Sequence, residues 1–292
     1  MKNIFPNLNP ETIKWFLEFG FPRKKITALQ LRASGFKDLP PPVFFLSTGR
    51  CGTKWFSELL KKGDKIKVIH NPYPNLFLQG KRVYEEIARN ENCNCDLINE
   101  IYFAAREEYL RYAYKTEKRL IETNNGITFF APILADIFPN ALFVHLYRHP
   151  GEFIRSGIRR DYFTGSIEDT RRISPLEGSP EFSNWKSSDQ IEKTAWLWNE
   201  TNRFIEKFKE NQGKHRSFDF NFNELNEEKI LLLTDFLGIT GICERKVNRM
   251  LSQKTNVQKS GSFDKYISWK EKDKEKVRKI CGYLADIYEF NI

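Results

Sequence analysis

An α/β fold, with a central, mostly parallel sheet flanked by helices, is what this 292-residue chain predicts. Its clearest apolar runs, Val43-Phe44-Phe45-Leu46 and Ala141-Leu142-Phe143-Val144-His145-Leu146-Tyr147, are nearly continuous rather than alternating. That is the pattern of strands covered on both faces. Helix-patterned stretches separate the strand-length runs, as the crossovers between parallel strands require.

Residues 1–40 read as an N-terminal helical extension that opens at Pro10-Glu11-Thr12 and stops at Pro40-Pro41-Pro42. Residues 41–292 form the main domain. Its first strand, Val43–Leu46, runs through a loop with two glycines into a helix around Trp55-Phe56-Ser57-Glu58-Leu59-Leu60. Lys65–His70 alternates as a second strand and ends at Asn71-Pro72-Tyr73-Pro74. Residues 75–118 are polar and helical, a cover over a cleft. Arg119–Asn124 is a third strand, and Phe129–Phe138 a short apolar helix closed by Pro139-Asn140. Ala141–Tyr147 is the fourth strand, ended by Arg148-His149-Pro150 before a helix near Gly151. Residues 160–190, rich in Gly, Ser and Pro, read as a lid or acceptor-binding loop. Ile191–Lys209 is amphipathic, with Trp196 and Trp198 as packing residues. Phe218–Leu225 alternates as a strand, Glu227–Leu237 is a helix stopped by Gly238, and a basic helix ends at Tyr288.

Composition excludes several classes. No apolar run approaches the ~18 residues of a membrane span, and Met1–Pro10 lacks a signal-peptide pattern. The five cysteines read as free thiols of a reducing cytoplasm, and no metal-ligand cluster is visible. A net charge of +9 favours anionic partners. The basic residues are mixed with acids along the whole chain, which argues against nucleic acid.

The segment after the first strand is an anion cradle. Gly49, Arg50, Cys51, Gly52, Thr53 and Lys54 place backbone N–H groups, a helix N-terminus, a hydroxyl and two cations at one point. An ordinary Mg-nucleotide loop, G-x-x-x-x-G-K-[ST], is disfavoured: Lys54 arrives one place late and Trp55 stands where the metal-binding hydroxyl belongs. A cysteine-phosphatase loop fails too, because Ser57 occupies the position that needs arginine. Farther on, Arg148 and Ser156 are spaced so that a strand-end guanidinium and a helix hydroxyl can converge on a second anion.

Arg50-Cys51-Gly52-Thr53-Lys54-Trp55 resembles the 5′-phosphosulfate loop of the PAPS-dependent sulfotransferases, [KR]-S-G-T-[TS]-W, with Cys51 for Ser and Lys54 for a hydroxyl residue. Tyr147-Arg148-His149-Pro150-Gly151-Glu152-Phe153-Ile154-Arg155-Ser156 is similar to that family's 3′-phosphate motif, R-[DN]-P-x-[DE]-x-x-x-S. Phe236-Leu237-Gly238 matches a helix end of the family, and the resemblance covers about residues 42–290. It implies a bacterial-type, P-loop NTPase-like sulfotransferase fold, with PAPS as sulfuryl donor, PAP as product and no metal. It further implies donor contacts from Gly49, Arg50, Cys51, Gly52, Thr53, Lys54, Trp55 (stacking on adenine), Arg148, Ser156, Lys259 and Gly261. Arg50 and Lys54 would neutralise the leaving phosphate.

Bacterial members often carry H-E-P after the second strand, where this chain reads His70-Asn71-Pro72, and Asn71 cannot take a proton. His70 is therefore the first candidate base. Glu122 is the second, at the end of the third strand, where cytosolic members read K-T-H and this chain reads Glu122-Thr123-Asn124. The acceptor, a hydroxyl or amine of a small molecule, lipid or carbohydrate, is to be met by residues 73–118 and 160–190. Two alternatives stay open: a catalytically impaired PAPS- or PAP-binding protein, and a kinase-like enzyme, which the position of Trp55 argues against.

Overall fold

A computed structural model describes residues 39–89, 95–212, 214–253 and 261–292. The helical extension expected for residues 1–40 lies almost wholly outside the described residues, as does Lys259.

Five strands, β1 (Val43–Leu46), β2 (Ile66–Ile69), β3 (Arg119–Glu122), β4 (Leu142–Tyr147) and β5 (Ser217–Asn221), form one sheet in the order β2-β3-β1-β4-β5. Every pairing is parallel, with Val43 opposite Ile121 on one side and Leu142 on the other. The helices are α1 (Thr53–Leu60), α2 (Phe77–Ala88), α3 (Cys95–Thr116), α4 (Ala131–Ile137), α5 (Pro150–Ile158), the single turn α6 (Phe182–Trp185), α7 (Gln190–Gln212), α8 (Glu227–Phe236), α9 (Glu244–Leu251) and α10 (Glu271–Ile287).

Strand periodicity sorts the apolar residues onto two faces. Phe44, Leu46, Ile69, Leu120 and Phe143 pack under α3, α4 and α7 through Tyr102, Leu134 and Phe208. Val43, Phe45, Val68, Ile121, Val144 and Leu146 pack under α1, α8 and α9 through Phe56, Leu233 and Val247. A third cluster, with Phe153, Trp196, Trp198 and Leu284, joins α5, α7 and α10. Trp198 is a core residue, and its indole N–H donates to the Arg148 carbonyl oxygen at 3.0 Å, fixing the end of β4.

Several expected boundaries move. The strand read through Leu225 stops at Asn221, whose side chain accepts the Asn223 N–H at 3.0 Å and turns Phe222–Glu224 into a 3₁₀ turn. The apolar helix expected at Phe129–Phe138 is α4, Ala131–Ile137, and a 3₁₀ segment, Asn125–Phe130, leads into it. Sequence reasoning passes over α9, because only Val247 and Met250 of its eight residues are buried. No described helix is long and apolar enough to cross a membrane.

Two buried charged groups hold α-helices to the sheet. Glu122 is fully buried and takes Arg106 of α3 through both carboxylate oxygens, at 2.8 and 3.1 Å, while Arg106 also donates to the Pro74 carbonyl oxygen at 2.8 Å. On the opposite half of the sheet, His145 lies in a knot of Glu206, Asp219 and Lys209, with Lys209 Nζ 2.6 Å from Asp219 and 2.9 Å from Glu206. Asn202 donates through its amide nitrogen to the Trp198 carbonyl at 2.8 Å, so its oxygen faces His145 Nε2 at 2.9 Å and makes that nitrogen a donor. His145 Nδ1 faces Glu206 at 3.4 Å and Asp219 at 3.5 Å, two carboxylates that favour a proton there as well. Burial opposes that charge, yet Asp219 and Glu206 outweigh it and raise the pKa above the ordinary 6.5. Burial likewise opposes both carboxylates, but His145 and Lys209 hold each down to about 2.

Removing the Glu122 carboxylate strands a buried guanidinium, so Glu122→Ala is expected to cost about 3–5 kcal/mol in urea unfolding. The His145 knot predicts two slopes in stability against pH. The carboxylates bind protons more weakly folded than unfolded, so their contribution is lost as pH falls from their ordinary 4.5 and 3.8 through about 2. The imidazole binds its proton more strongly folded, so its contribution is complete below 6.5 and lost as pH rises through the raised value. Urea midpoints measured across pH should lose this alkaline slope in His145→Gln.

Candidate functional site

In this strand order the chain leaves β1 toward β2 and leaves β4 toward β5, which opens a crevice between the C-terminal ends of β1 and β4. Both motifs singled out in the sequence emerge there.

The loop after β1 is wound left-handed at Gly49, Arg50 and Gly52, with φ of 76°, 58° and 97°. Gly52 serves twice, since a Cβ there would also meet the Phe222 ring at 2.1 Å. Thr128 pins the loop's start, donating to the Ser47 carbonyl at 2.9 Å and accepting the Ser47 N–H at 3.1 Å. Cys51 is fully buried; its thiol donates to the Gly49 carbonyl at 3.1 Å, and burial pushes its pKa up to about 11. It props the loop from beneath and is not a nucleophile. Gly52 is the N-cap of α1 with no side-chain cap, so the first-turn N–H groups point into the crevice mouth.

Arg148 joins the second motif to the first. Its Nη1 donates to the Arg50 carbonyl at 3.0 Å, and its Nη2 is bound to Glu152. Burial would raise the Glu152 carboxyl, but Arg148 and the Asn223 amide outweigh it and hold it below the ordinary 4.5. His149 accepts the Gly151 N–H on Nδ1 at 3.0 Å, so its Nε2 donates to the Asn291 carbonyl at 3.1 Å. Ser156 Oγ accepts from Arg160 Nη1 at 2.8 Å. Arg50 and Arg148 both bring a guanidinium to the wall of the crevice, a favourable setting for an anion.

A cleft of about 1120 Å³ gathers these groups. Gly49, Arg50, Gly52, Thr53, Lys54, Trp55, His70, Arg148 and Ser156 line it, Lys54 as an exposed side chain and Trp55 with 5% of its surface exposed. Among the described residues its lining carries nine Arg or Lys side chains and two carboxylates, Glu152 and Glu168, so the cleft favours polyanions. His70 stands at its edge. Its Nδ1 lies 3.1 Å from the Thr123 carbonyl, so that nitrogen carries the proton and Nε2 keeps the lone pair. Burial lowers its pKa from the ordinary 6.5, and Lys61 and Lys54 act in the same direction against a rise from the Thr123 bond.

Not every expected residue comes to the cleft. Glu122, the second candidate base, is enclosed by Arg106, Tyr102 and Asn124 and does not line it. Cys51, buried beneath the loop, does not line it either. Gly261 sits outside the lining, with φ of 71° and its carbonyl accepting from Arg159 at 2.9 Å. Conversely, sequence reasoning missed Arg155, Arg159, Arg160, Arg171, Arg172 and Lys265, all cleft-lining. The first three recur at helical spacing around Ser156, which is the signal that could have found them. The stretch 160–190 is not shapeless: Asp169 accepts the N–H groups of Phe163, Gly165 and Ser166 at 2.8, 2.9 and 3.1 Å and pairs with Arg172 at 2.5 Å. Arg172 in turn stacks over the Tyr162 ring at 3.7 Å.

The architecture is shared with solved structures. The sulfotransferase domain of the Synechococcus PCC 7002 olefin synthase aligns at TM-score 0.50 and 17% identity, over 87% of this chain and 96% of that one. The chain has the sulfotransferase fold. The sulfotransferase domain from the curacin biosynthetic pathway aligns at TM-score 0.52 and 15% identity, over 87% of this chain and 99% of that one. Sulfotransferase STF9 from Mycobacterium avium aligns at TM-score 0.52 and 13% identity, over 90% and 81% respectively. No family model and no curated protein matches the sequence.

Substituting Gly52 tests the sulfotransferase-fold loop directly. Gly52→Ala must both hold an unfavourable left-handed φ and displace the Phe222 ring, so a loss of about 2 kcal/mol or more is expected. Differential scanning calorimetry would read it as a lowered Tm.

Proposed function

We propose that the protein transfers a sulfuryl group from PAPS to a hydroxyl or amine of an acceptor and releases PAP. The observation that carries this reading is the convergence of the β1 loop and the Arg148–Ser156 motif on one strongly basic cleft. Two anion sites at neighbouring strand ends suit a nucleotide phosphorylated at both 5′ and 3′ positions. The fold shared with proteins named sulfotransferases supports the same reading.

The donor supplies an activated sulfuryl group, and the chain's residues bind and orient it. The loop N–H groups, Arg50 and Lys54 would hold the 5′ end and offset the negative charge that builds on the leaving phosphate. Arg148 and Ser156 would hold the 3′-phosphate. Trp55, which the family resemblance would place against the base, lies on the cleft wall beside the loop with 5% of its surface exposed. His70 Nε2, its lone pair directed by the Nδ1 bond to Thr123, would accept the acceptor's proton. Glu122, held by Arg106 and away from the cleft, leaves His70 as the base. The acceptor would enter between α2 and the Asp169-organised loop 160–190, against Phe77, Phe129 and Ile173.

A thermal-shift series with PAP, ADP and ATP tests the donor. PAP is expected to raise Tm well above ADP or ATP, because only it fills both anion sites; a larger shift with Mg-ATP would overturn the reading. Kinetics test the base. The rate should rise with pH through a value below 6.5, since burial lowers the His70 pKa and the neutral ring is the active form. His70→Gln should lower kcat by about a hundredfold to ten-thousandfold and remove that acid limb; an unchanged profile would exclude His70.

A further inference from the structure

The sequence motif stops at Ser156, but the turn that ends its helix brings in a second cation. Arg160 lies just past the end of α5 at Ile158, in the turn that closes the helix. Its Nη1 donates to the Ser156 hydroxyl oxygen at 2.8 Å and to the Ser156 carbonyl at 3.0 Å. With its oxygen receiving Arg160, the hydroxyl keeps its own proton to donate to an anion. Both residues line the cleft together with Arg148.

Resting on the donor reading above, we propose that Arg160 is a third side chain of the 3′-phosphate subsite and sets the protein's preference for a 3′-phosphorylated nucleotide. Arg148, Arg159 and Arg160 line the cleft together, so an anion held at Ser156 gains from more than one cation. A planar guanidinium beside a hydroxyl also offers the forked donor geometry that a terminal phosphate accepts.

Isothermal titration with PAP and with adenosine 5′-monophosphate, which lacks only the 3′-phosphate, tests the assignment. Arg160→Ala should weaken PAP binding about tenfold to a hundredfold, the range for a lost charged hydrogen bond, and leave 5′-monophosphate binding unchanged. Arg160→Lys keeps the charge without the fork, so it guards against a folding defect and should weaken PAP by a smaller factor. Unchanged PAP affinity in Arg160→Ala, with affinity lost in Arg148→Ala, overturns the proposal. Equal weakening for both nucleotides overturns it as well, because Arg160 would then act on the 5′ end or on the fold. A wild-type protein that binds PAP no better than the 5′-monophosphate fails the donor reading itself, a result separate from either.

Discussion

The left-handed turn after β1 is the constraint on which the site depends. Three residues of that turn have positive φ, and Arg50, which is not glycine, occupies a conformation that costs about 1–2 kcal/mol. Something must hold it there, and the hydrogen bond from the Arg148 guanidinium to the Arg50 carbonyl does so across the gap between β1 and β4. The same guanidinium that lines the cleft therefore shapes the turn opposite it. Trp198 fixes the backbone of Arg148 from the core, so the brace begins in the hydrophobic interior and ends at the cleft. Site and scaffold are a single mechanical unit.

The buried charges elsewhere follow a related logic. A buried ion pair contributes little net stability compared with apolar residues of the same size, but it punishes any arrangement that separates its partners. Arg106 and Glu122 tie α3 to the end of β3 and to the loop after β2, which carries His70 at its start. The His145 knot ties α7 to β4 and β5, and Tyr288 of the α10 end joins it through Glu206 at 2.7 Å. Each knot sits on a strand whose C-terminal end contributes to the cleft. Their service is register and orientation, since a slip in either would leave an unpaired charge in the interior.

Much of the fold was legible in the sequence because its strands are simple. Val43–Leu46 and Leu142–Tyr147 read clearly, since a parallel central strand must be apolar on both sides. The cradle and the Arg148–Ser156 spacing were legible for a different reason: both anion-binding elements are contiguous in the chain. What escaped depends on contacts between distant segments. Glu122 was expected to be a candidate base, yet its fate is decided by Arg106, on a helix that packs over it. The end of β5 was missed because Asn221 caps its own successor, a local bond that alternation cannot reveal. The helix α9 hid because two buried residues make too sparse a stripe. The cleft's additional arginines lay in plain view as Arg155, Arg159 and Arg160, but only the fold shows that they line the cleft with Ser156.

Cys51 gives this architecture an unplanned clock. Its sulfur is closed off beneath the turn, whereas Cys243 is exposed at the surface. A thiol reagent should therefore mark Cys243 at once and reach Cys51 only when the turn swings open. The lag between the two modifications would report how often the loop breathes, and how far a nucleotide quiets it, with no label introduced.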